Sequence, residues 1–278
     1  MILHSTGTIT FPAAFRLTNH LVSPRKSQIN QGRVFRPPVA CAVVPRTGAP
    51  LSVCYSASMG SREEMKGVLF DWDGTLIDSY HADSQAYLAM FRDMGLAWGL
   101  AELEQNYSPD WYAVYRAAGI AKERWSEADL AWRKHYAKHP SKLMNGAQRI
   151  LQELAAKHRL GLVTSGDRER VSRQLQEFQL ADVFETYVCG GDTNEKKPRP
   201  EPLLLALRQM NIDARHCVYV GDTPEDLLMA RAAGVRPIAV LGPFPTEQRL
   251  RAAEPEYLLG SLEELPELLK KISDESNT

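Results

Sequence analysis

The chain has 278 residues, of which 44% are hydrophobic and 24% charged, with a formal net charge of −1. This composition is typical of a globular protein, and the length allows one large or two smaller domains with a full core. The near-zero charge argues against a nucleic acid or an anionic membrane as partner. No apolar run reaches the roughly 18 residues that a membrane span needs, so we expect no membrane partner.

The first 62 residues differ in charge from the rest. They contain seven basic residues and no acidic one, which leaves 26 basic and 34 acidic residues, a net of −8, for the remainder. They are rich in Ser, Thr, Pro and Gly without a sustained period, so we predict a disordered extension over residues 1–64. It is either a transit peptide for a plastid or mitochondrion, or translation starts at Met59 or Met65 and the protein is cytoplasmic.

The folded part is predicted to begin with a short apolar strand at Val68–Phe70. The following 65 or so residues show helical spacing at 79–95, 108–119 and 127–139, and no convincing strand between Ser79 and Met144. We therefore predict an all-helical cap at residues 80–146. It is inserted into a core made of residues 65–79 and 147–274, and it is a candidate lid.

Strand-like and helix-like segments alternate after Ala147. Predicted strands lie at 160–165, 186–191, 217–222 and 236–242, and predicted helices at 167–180, 202–210, 224–234 and 261–272. This alternation indicates βαβ units in a doubly wound, Rossmann-like parallel sheet, an α/β fold. Ligands of such sheets bind beyond the carboxyl ends of the strands, which is where the polar motifs of this sequence occur.

The first of these motifs is FDWDGT, which follows the first strand. Residues in a strand alternate faces, so Asp71 and Asp73 are predicted to project to the same side and Trp72 to point away. Two neighbouring carboxylates repel each other unless a cation lies between them. Mg²⁺ is the natural cation, because it prefers oxygen ligands and keeps positions open for phosphate oxygens. Gly74 permits a sharp turn that brings backbone amides close to an anion.

Three later segments supply further polar groups. Asp222 and Asp226 in GDTPED follow a strand and lie where both can point back over its end; the alternative is that they only cap the next helix and complement its dipole. Lys197, held extended before Pro198, can neutralise a carboxylate and hold a phosphoryl oxygen; the alternative is a solvated basic loop. Thr164 offers a hydroxyl to a phosphate, or else is a plain helix cap.

Taken in order, the motifs DWDGT, the Thr of LVTSG, the Lys of KKPRPEP and GDTPED resemble the haloacid dehalogenase-like hydrolase superfamily. The resemblance covers essentially Lys66 to Ile272. The helical insertion directly after the first motif is similar to the subgroup that contains phosphoglycolate phosphatases, pyrophosphatases and β-phosphoglucomutases.

The resemblance implies a role for each motif residue. Asp71 would be the nucleophile that forms an aspartyl-phosphate, and Asp73 the general acid and then the base. Lys197 and Thr164 would bind the transferring phosphoryl group, and we expect Ser165 and Trp72 beside it. Mg²⁺ would be held by the metal ligands of the family pattern, which here are Asp71, Asp73 through its backbone carbonyl, Asp222 and the nearby Asp226.

Asp73 also narrows the reaction, because dehalogenases and phosphonatases of the superfamily lack an acid at that position. We expect a phosphatase acting on a small phosphorylated metabolite, phosphoglycolate-like, as a monomer or homodimer. A phosphosugar mutase, a pyrophosphatase and a non-catalytic sensor of phosphorylated ligands remain as alternatives. The presence of every expected polar residue argues against the sensor.

Substrate specificity is expected to lie in the insertion. The basic run Trp132–Lys142 can attract an anionic substrate, and Tyr80, His81 and Gln85 follow the nucleophile loop closely enough to reach a leaving group. His135 and His139 are spaced to share a helix face, but no acid or Cys is nearby in the sequence to complete a zinc site, so a solvated face is the preferred interpretation.

Overall fold

The computed structural model describes residues 65–275. The predicted extension at residues 1–64 lies outside the described residues. The strands of the described part are β1 (Gly67–Phe70), β2 (Ile77–Asp78), β3 (Lys142–Leu143), β4 (Arg159–Asp167), β5 (Thr186–Gly190), β6 (Cys217–Gly221), β7 (Arg236–Val240) and β8 (Leu258–Leu259). Its helices are α1 (Tyr80–Asp93), α2 (Leu100–Gln105), α3 (Trp111–Ala117), α4 (Trp125–Tyr136), α5 (Ala147–Ala155), α6 (Arg168–Glu177), α7 (Glu201–Met210), α8 (Pro224–Ala232), α9 (Glu247–Ala252) and α10 (Leu265–Glu275).

Six of the strands form one parallel sheet in the order β5-β4-β1-β6-β7-β8. The alternation of strands and helices thus produces the predicted doubly wound sheet, with β1 between β4 and β6. Its carboxyl ends lie at one edge, because parallel strands all run the same way. The sequence pattern does not predict α2, α9 or β8, because each is six residues or shorter and too brief to show a period. It also does not predict α5, although the buried Ala147, Ile150, Leu151 and Leu154 are spaced as on one face of a helix.

Both faces of the sheet are covered, as the apolar runs of its strands require. Val68 and Phe70 of β1 pack on one face, in a buried cluster that includes residues of α5, α6 and α10. Leu69 points to the other face and packs in a second cluster with residues of α7 and α8. The alternation of neighbouring side chains on a strand therefore divides the hydrophobic core into two layers.

Between β2 and β3 the chain forms the helices α1 to α4. Tyr87, Met90 and Phe91 of α1 pack against Val114 and other residues of α3 and α4 in a cluster separate from those of the sheet. The expectation that this insertion holds no strand is wrong at β3, which pairs antiparallel with β2. A two-residue strand is too short for any alternation to be detected in the sequence. None of the helices in residues 65–275 is both long and apolar enough to cross a membrane.

Candidate active site

A cleft of about 840 Å³ lies between the carboxyl edge of the sheet and the helices of the insertion. The loop after β1 contributes Asp71 and Asp73 to its lining, and the carboxyl end of β4 contributes Thr164 and Ser165. Pairing of β4 with β5 is irregular between Val163 and Asp167, the segment in which Thr164 and Ser165 face the cleft. Such irregularities occur often beside active sites, because they redirect side chains out of the regular pleat.

At the base of the cleft, Lys197 joins two carboxylates. Its Nζ donates to Asp71 Oδ1 at 2.5 Å and to Asp226 Oδ1 at 2.7 Å, and all three side chains are buried. Lys197 is therefore part of the site rather than of a solvated loop. Thr223 is the N-cap of α8, and its Oγ1 and backbone N–H both donate to Asp226 Oδ2. Asp226 thus completes the helix cap with one oxygen and meets Lys197 with the other.

The residues at this point fit a divalent cation. Asp71, Asp222 and Asp226 offer carboxylate oxygens that all lie within 4.8 Å of one another. Asp222 is fully buried; its Oδ1 accepts from Thr75 at 3.3 Å, whereas its Oδ2 has no hydrogen-bond partner within the described residues. A buried carboxylate oxygen without a partner is costly unless a cation binds it. A hard ion with oxygen ligands, such as Mg²⁺, would supply that partner.

Gly74 keeps the backbone close to this oxygen. It has a φ of +86°, and a Cβ at this position would lie 2.3 Å from Asp222 Oδ2 and 2.8 Å from a carbon of the Phe244 ring. Any other residue would be strained by the positive φ and would also fill the space beside Asp222. The turn that the sequence predicts at Gly74 is therefore required by both the backbone conformation and the close approach.

Burial strongly perturbs these groups in the metal-free protein. It raises the pKa of Asp71 to about 7, and the Asp226 and Asp73 carboxylates act in the same direction against the opposing Lys197. Burial, with Asp71 and Asp226, likewise raises the pKa of Asp222 well above its ordinary range. Burial acts to lower the pKa of Lys197, but Asp226 and Asp71 outweigh it and hold the pKa above normal, so the ammonium stays charged.

Asp73 has a different partner from the one expected. Its carboxylate is not in the acidic cluster; instead Arg170 donates Nη1 to Oδ1 at 2.9 Å and Nη2 to Oδ2 at 2.7 Å, and Ser79 Oγ donates to Oδ1 at 2.7 Å. The idea that a metal balances the side chains of both Asp71 and Asp73 is therefore wrong for Asp73, because a guanidinium balances it. Only the backbone carbonyl of Asp73 remains as a possible ligand.

Arg170 sets the ionisation of this acid. Burial would raise the pKa of Asp73. The charge and the hydrogen bonds of Arg170, together with the hydrogen bond from Ser79, outweigh burial and hold the pKa below its usual range. Arg170 is 7% exposed and lies on α6 beside the buried Val171 and Gln174. Arg170 is not among the site residues predicted from the sequence. The available signal was a charged residue at an inward position of an amphipathic helix directly after the Thr164 motif.

Arg170 also connects the sheet edge to the insertion. The rings of Tyr136 and Trp132, both on α4, lie 5.0 and 5.9 Å from its guanidinium carbon. Gln174 accepts from Arg170 Nη1 at 3.1 Å and donates to the Tyr136 hydroxyl at 3.3 Å. A change in the position of α4 would therefore act directly on the partner of Asp73.

Thr164 is buried and lines the cleft, with its Oγ1 accepting from the Gly166 backbone N–H at 3.0 Å. It does not cap α6, because the N-cap is Asp167, whose side chain accepts from the Arg170 backbone N–H. Ser165 lines the cleft beside it.

Trp72 points into the protein, as the strand alternation predicts. Its side chain is fully buried in the core cluster, and its Nε1 donates to Gln174 Oε1 at 3.0 Å. The Trp72 side chain therefore cannot contact substrate phosphate, and the expected contribution of this residue to phosphate binding is left to its backbone. The large apolar ring fills the space under the sheet edge, and only the backbone of this residue stays near the cleft.

The insertion contributes some of the expected residues and some others. Trp132, Arg133 and Tyr136, from the basic run Trp132–Lys142, line the cleft. Tyr80, His81 and Gln85 do not line the cleft described here; Asp83 and Tyr87 of the same helix do. The Tyr80 hydroxyl donates to Glu104, and the His81 ring packs on His139 at 5.7 Å.

His135 does not pair with His139. Its Nε2 lies 2.7 Å from Asp93 Oδ2, so the two histidines have separate partners. The acidic cluster at Asp71 is the one grouping of potential metal ligands found among residues 65–275. The structure therefore gives a zinc site at the two histidines no support.

A doubly wound sheet with this arrangement of acids, lysine and threonine at its carboxyl edge defines a class. The model of the haloacid dehalogenase-like hydrolase family matches residues 68–240, and the chain belongs to this family.

Relatives and solved structures match over the same region. The phosphoglycolate phosphatase of Yersinia pseudotuberculosis is 30% identical over 219 residues, covering 72% of this chain and 91% of the relative. The pyrophosphatase PpaX of Halalkalibacterium halodurans is 28% identical over 211 residues, covering 74% of this chain and 97% of the relative. The crystal structure of CbbY from Rhodobacter sphaeroides in complex with phosphate has a TM-score of 0.63 at 24% identity, covering 72% of this chain and 96% of that one. This structural likeness shows the shared fold.

Proposed function

We propose that the chain is a Mg²⁺-dependent phosphatase that hydrolyses a small phosphorylated metabolite through an aspartyl-phosphate on Asp71. The observation that carries the proposal is the buried contact of Lys197 with Asp71 and Asp226, beside the unpaired Asp222 oxygen. The names of the curated relatives, a phosphoglycolate phosphatase and a pyrophosphatase, support phosphate-ester chemistry. Residues 65–79 and 147–274 would be the hydrolase core, and residues 80–146 its cap.

Asp71, Asp222 and the Asp73 backbone carbonyl would hold the metal ion, with Asp226 close by. When bound, the ion would neutralise negative charge on the oxygens of the transferring phosphoryl group. The Asp71 carboxylate could then approach the phosphorus atom with less repulsion. Lys197, Thr164 and Ser165 would bind and orient the phosphoryl group. Lys197 and Thr164 are buried, so their contacts would act in a medium less screened than water.

In the first half of the reaction, an Asp71 oxygen would form a bond to phosphorus as the bond from phosphorus to the leaving oxygen breaks. A proton from Asp73 would neutralise that oxygen. In the second half, Asp73 would take a proton from water as the water oxygen attacks phosphorus, which releases phosphate and restores Asp71.

The contact with Arg170 bears on the order of these events. It keeps Asp73 ionised in the resting protein, which is the state that a general base requires. For the first half Asp73 must acquire a proton, and the negative charge of an arriving phosphoryl group favours the protonated form. Arg170 would thus be a positioning residue that holds the carboxylate in place between the two roles.

Phosphomonoester hydrolysis is favoured over a mutase or a pyrophosphatase reaction by the lining of the cleft. Both alternatives need a second cationic site, for the other phosphate of a bisphosphate or of pyrophosphate. Arg133 is the one cation that residues 80–146 contribute to the lining.

The test is phosphate release by the purified full chain with Mg²⁺, first from p-nitrophenyl phosphate and then from a panel of phosphorylated metabolites. Turnover supports the phosphatase. Tight binding of phosphate without turnover of any ester would instead indicate a sensor.

A further inference from the structure

The side of the cleft opposite the sheet, here called the cap wall, consists of the lining residues from the insertion. They combine two carboxylates, one exposed arginine and several aromatic rings. They include Asp83, Asp129, Arg133, Trp111, Tyr115, Trp132 and Tyr136. The proposed chemistry on the sheet side leaves the composition of this wall unexplained, and the wall is the surface that a leaving group would face.

The cap wall is a poor environment for negative charge. Burial raises the pKa of Asp83 to about 8, and the Asp73 carboxylate acts in the same direction. The Asp129 pKa is also raised by burial. Arg133 is exposed, and Asp129 is one of the charges near it. Asp83 is largely protonated at neutral pH, so a carboxylate or second phosphate on the leaving group would meet the charge of Asp129, and the two cations near that charge, Arg133 and Lys196, are already opposed by it.

A cationic leaving group is not favoured either, because cations of the chain already lie on several ring faces. Arg170 lies over the rings of Tyr136 and Trp132, at 5.0 and 5.9 Å. The Lys196 ammonium lies 3.5 Å from the centre of the Trp111 ring. These rings are therefore not an open aromatic cage of the kind that binds quaternary ammonium groups.

The polar atoms of the cap wall instead suit hydroxyl groups. The indole N–H groups of Trp111 and Trp132 are buried and lie close to Tyr112 and Asp83 respectively, but neither makes a hydrogen bond of regular geometry among the described residues. The Tyr115 hydroxyl donates to Asp129 at 2.9 Å, which leaves other carboxylate lone pairs free to accept. Neutral donors and acceptors set among rings match a ligand with several hydroxyls on an apolar carbon frame.

We propose that the ester hydrolysed here has a neutral, polyhydroxylated leaving group, as in a sugar or polyol phosphate, and that the cap wall discriminates against leaving groups with a carboxylate or a second phosphate. This inference rests on the proposed phosphatase function. It differs from what the names of the relatives suggest, since phosphoglycolate carries a carboxylate and pyrophosphate a second phosphate.

The test compares glycerol 3-phosphate with 3-phosphoglycerate. Both have three carbons and one phosphate ester, and they differ in a hydroxymethyl group against a carboxylate. The inference predicts a kcat/KM at least about tenfold higher for the glycerol ester, which corresponds to about 1.4 kcal/mol. Phosphoethanolamine, pyrophosphate and a hexitol phosphate complete the panel. Equal or higher kcat/KM for the carboxylate, amine or pyrophosphate substrate overturns the inference and leaves the phosphatase proposal standing.

Variants assign the discrimination to the cap wall. Asp129→Asn should lower the ratio of the two kcat/KM values several-fold, because it removes a charge that repels the carboxylate. Glu127→Gln is the matched control, since Glu127 is exposed on the same helix, pairs with Arg124 and does not line the cleft. If Asp129→Asn does not fold, Arg133→Gln is measured instead; Arg133 is exposed and lies near Asp129, and removal of its positive charge should raise the ratio. An unchanged ratio in the folded variant overturns the assignment. Absence of turnover for every ester, p-nitrophenyl phosphate included, overturns the proposed function and this inference with it.

Discussion

The two sides of the cleft are built on different principles. On the sheet side, buried opposite charges contact each other directly: Lys197 meets Asp71 and Asp226, and Arg170 meets Asp73. On the cap side, Asp83 and Asp129 lie among aromatic rings, and none of the ion pairs found within residues 65–275 includes either of them. Under the proposed function, the sheet side would cleave the phosphate bond and the cap side would recognise the leaving group. Changes on the sheet side should therefore affect all substrates, and changes on the cap side should affect the choice among them.

Metal removal should have the largest effect on the sheet side. Chelation by EDTA should abolish turnover, because the buried Asp222 Oδ2 would be left without a partner and no ion would offset the charge of the phosphoryl oxygens beside Asp71. Mg²⁺ should restore it, and Ca²⁺ should restore it poorly because of its larger, more variable coordination shell. The measurement is phosphate release from p-nitrophenyl phosphate before and after dialysis. Full activity in thoroughly chelated protein would remove the metal from the account.

Replacement of the proposed acid should discriminate between leaving groups by their basicity. Asp73→Asn should slow the first chemical step with an alkyl phosphate by about 10²–10⁴-fold, the range typical of a positioned general acid. The same step with a nitrophenyl phosphate should slow by a smaller factor, because the nitrophenolate leaves without needing a proton. Single-turnover kinetics isolate this step. Equal losses with both esters would mean that Asp73 acts through the local structure rather than as an acid.

Arg170 joins the two sides, so its removal tests the comparison directly. Arg170→Met leaves the Asp73 charge partly buried and unpaired, and should lower the free energy of unfolding at pH 7 by up to about 3–5 kcal/mol. Because the folded pKa of Asp73 is depressed, this stabilisation is complete above the ordinary pKa of an aspartate and is lost as pH falls through the folded pKa. Urea unfolding should therefore show the full difference at pH 7 and a smaller one only once the pH falls below 3.8, the ordinary pKa of the group.

The matched control for that experiment is Arg168→Met, which breaks an exposed pair with Asp192. Exposed pairs contribute about 1 kcal/mol or less. If both variants lose the same amount of stability, the Arg170 contact is no more important than a surface pair.

The smallest expected effect is the pH dependence of metal affinity. In the metal-free protein the pKa of Asp71 is about 7, and a carboxyl group must lose its proton to bind the ion. Ionisation of this one group should raise the apparent affinity for Mg²⁺ about tenfold between pH 6 and pH 8 and little further above that. Isothermal titration calorimetry measures this change. A pH-independent affinity would contradict the elevated pKa.

The sequence predicts the position of a site residue well where that residue lies within a few positions of a recognisable strand. Asp71 and Asp222 each follow an apolar strand, and the parallel sheet brings the ends of those strands together. Arg170 could not be assigned, because its contact with Asp73 spans 97 positions and depends on how α6 packs against the sheet. A charged residue on an amphipathic helix is usually solvated, so its inward position was not informative by itself.

The insertion shows the same limit more strongly. Helical spacing predicts α1, but it does not determine which face of α1 meets the sheet. Asp83 and Tyr87 line the cleft, whereas Tyr80 and His81, closer in sequence to Asp71, do not. Packing of α1 against α4 decides this, and such contacts between helices are not encoded in any short motif.

The central claim is that Asp71 carries the phosphoryl group during turnover, and the most direct measurement is to trap that group. Protein mixed with a ³²P-labelled ester and Mg²⁺ and quenched in acid within the first turnover should carry label on the peptide that contains Asp71. Asp71→Asn should carry none and should release no phosphate, whereas Asp213→Asn, which changes an exposed acid paired with Arg215, should behave like the native protein. Label on another residue, or normal phosphate release by Asp71→Asn, would contradict the account.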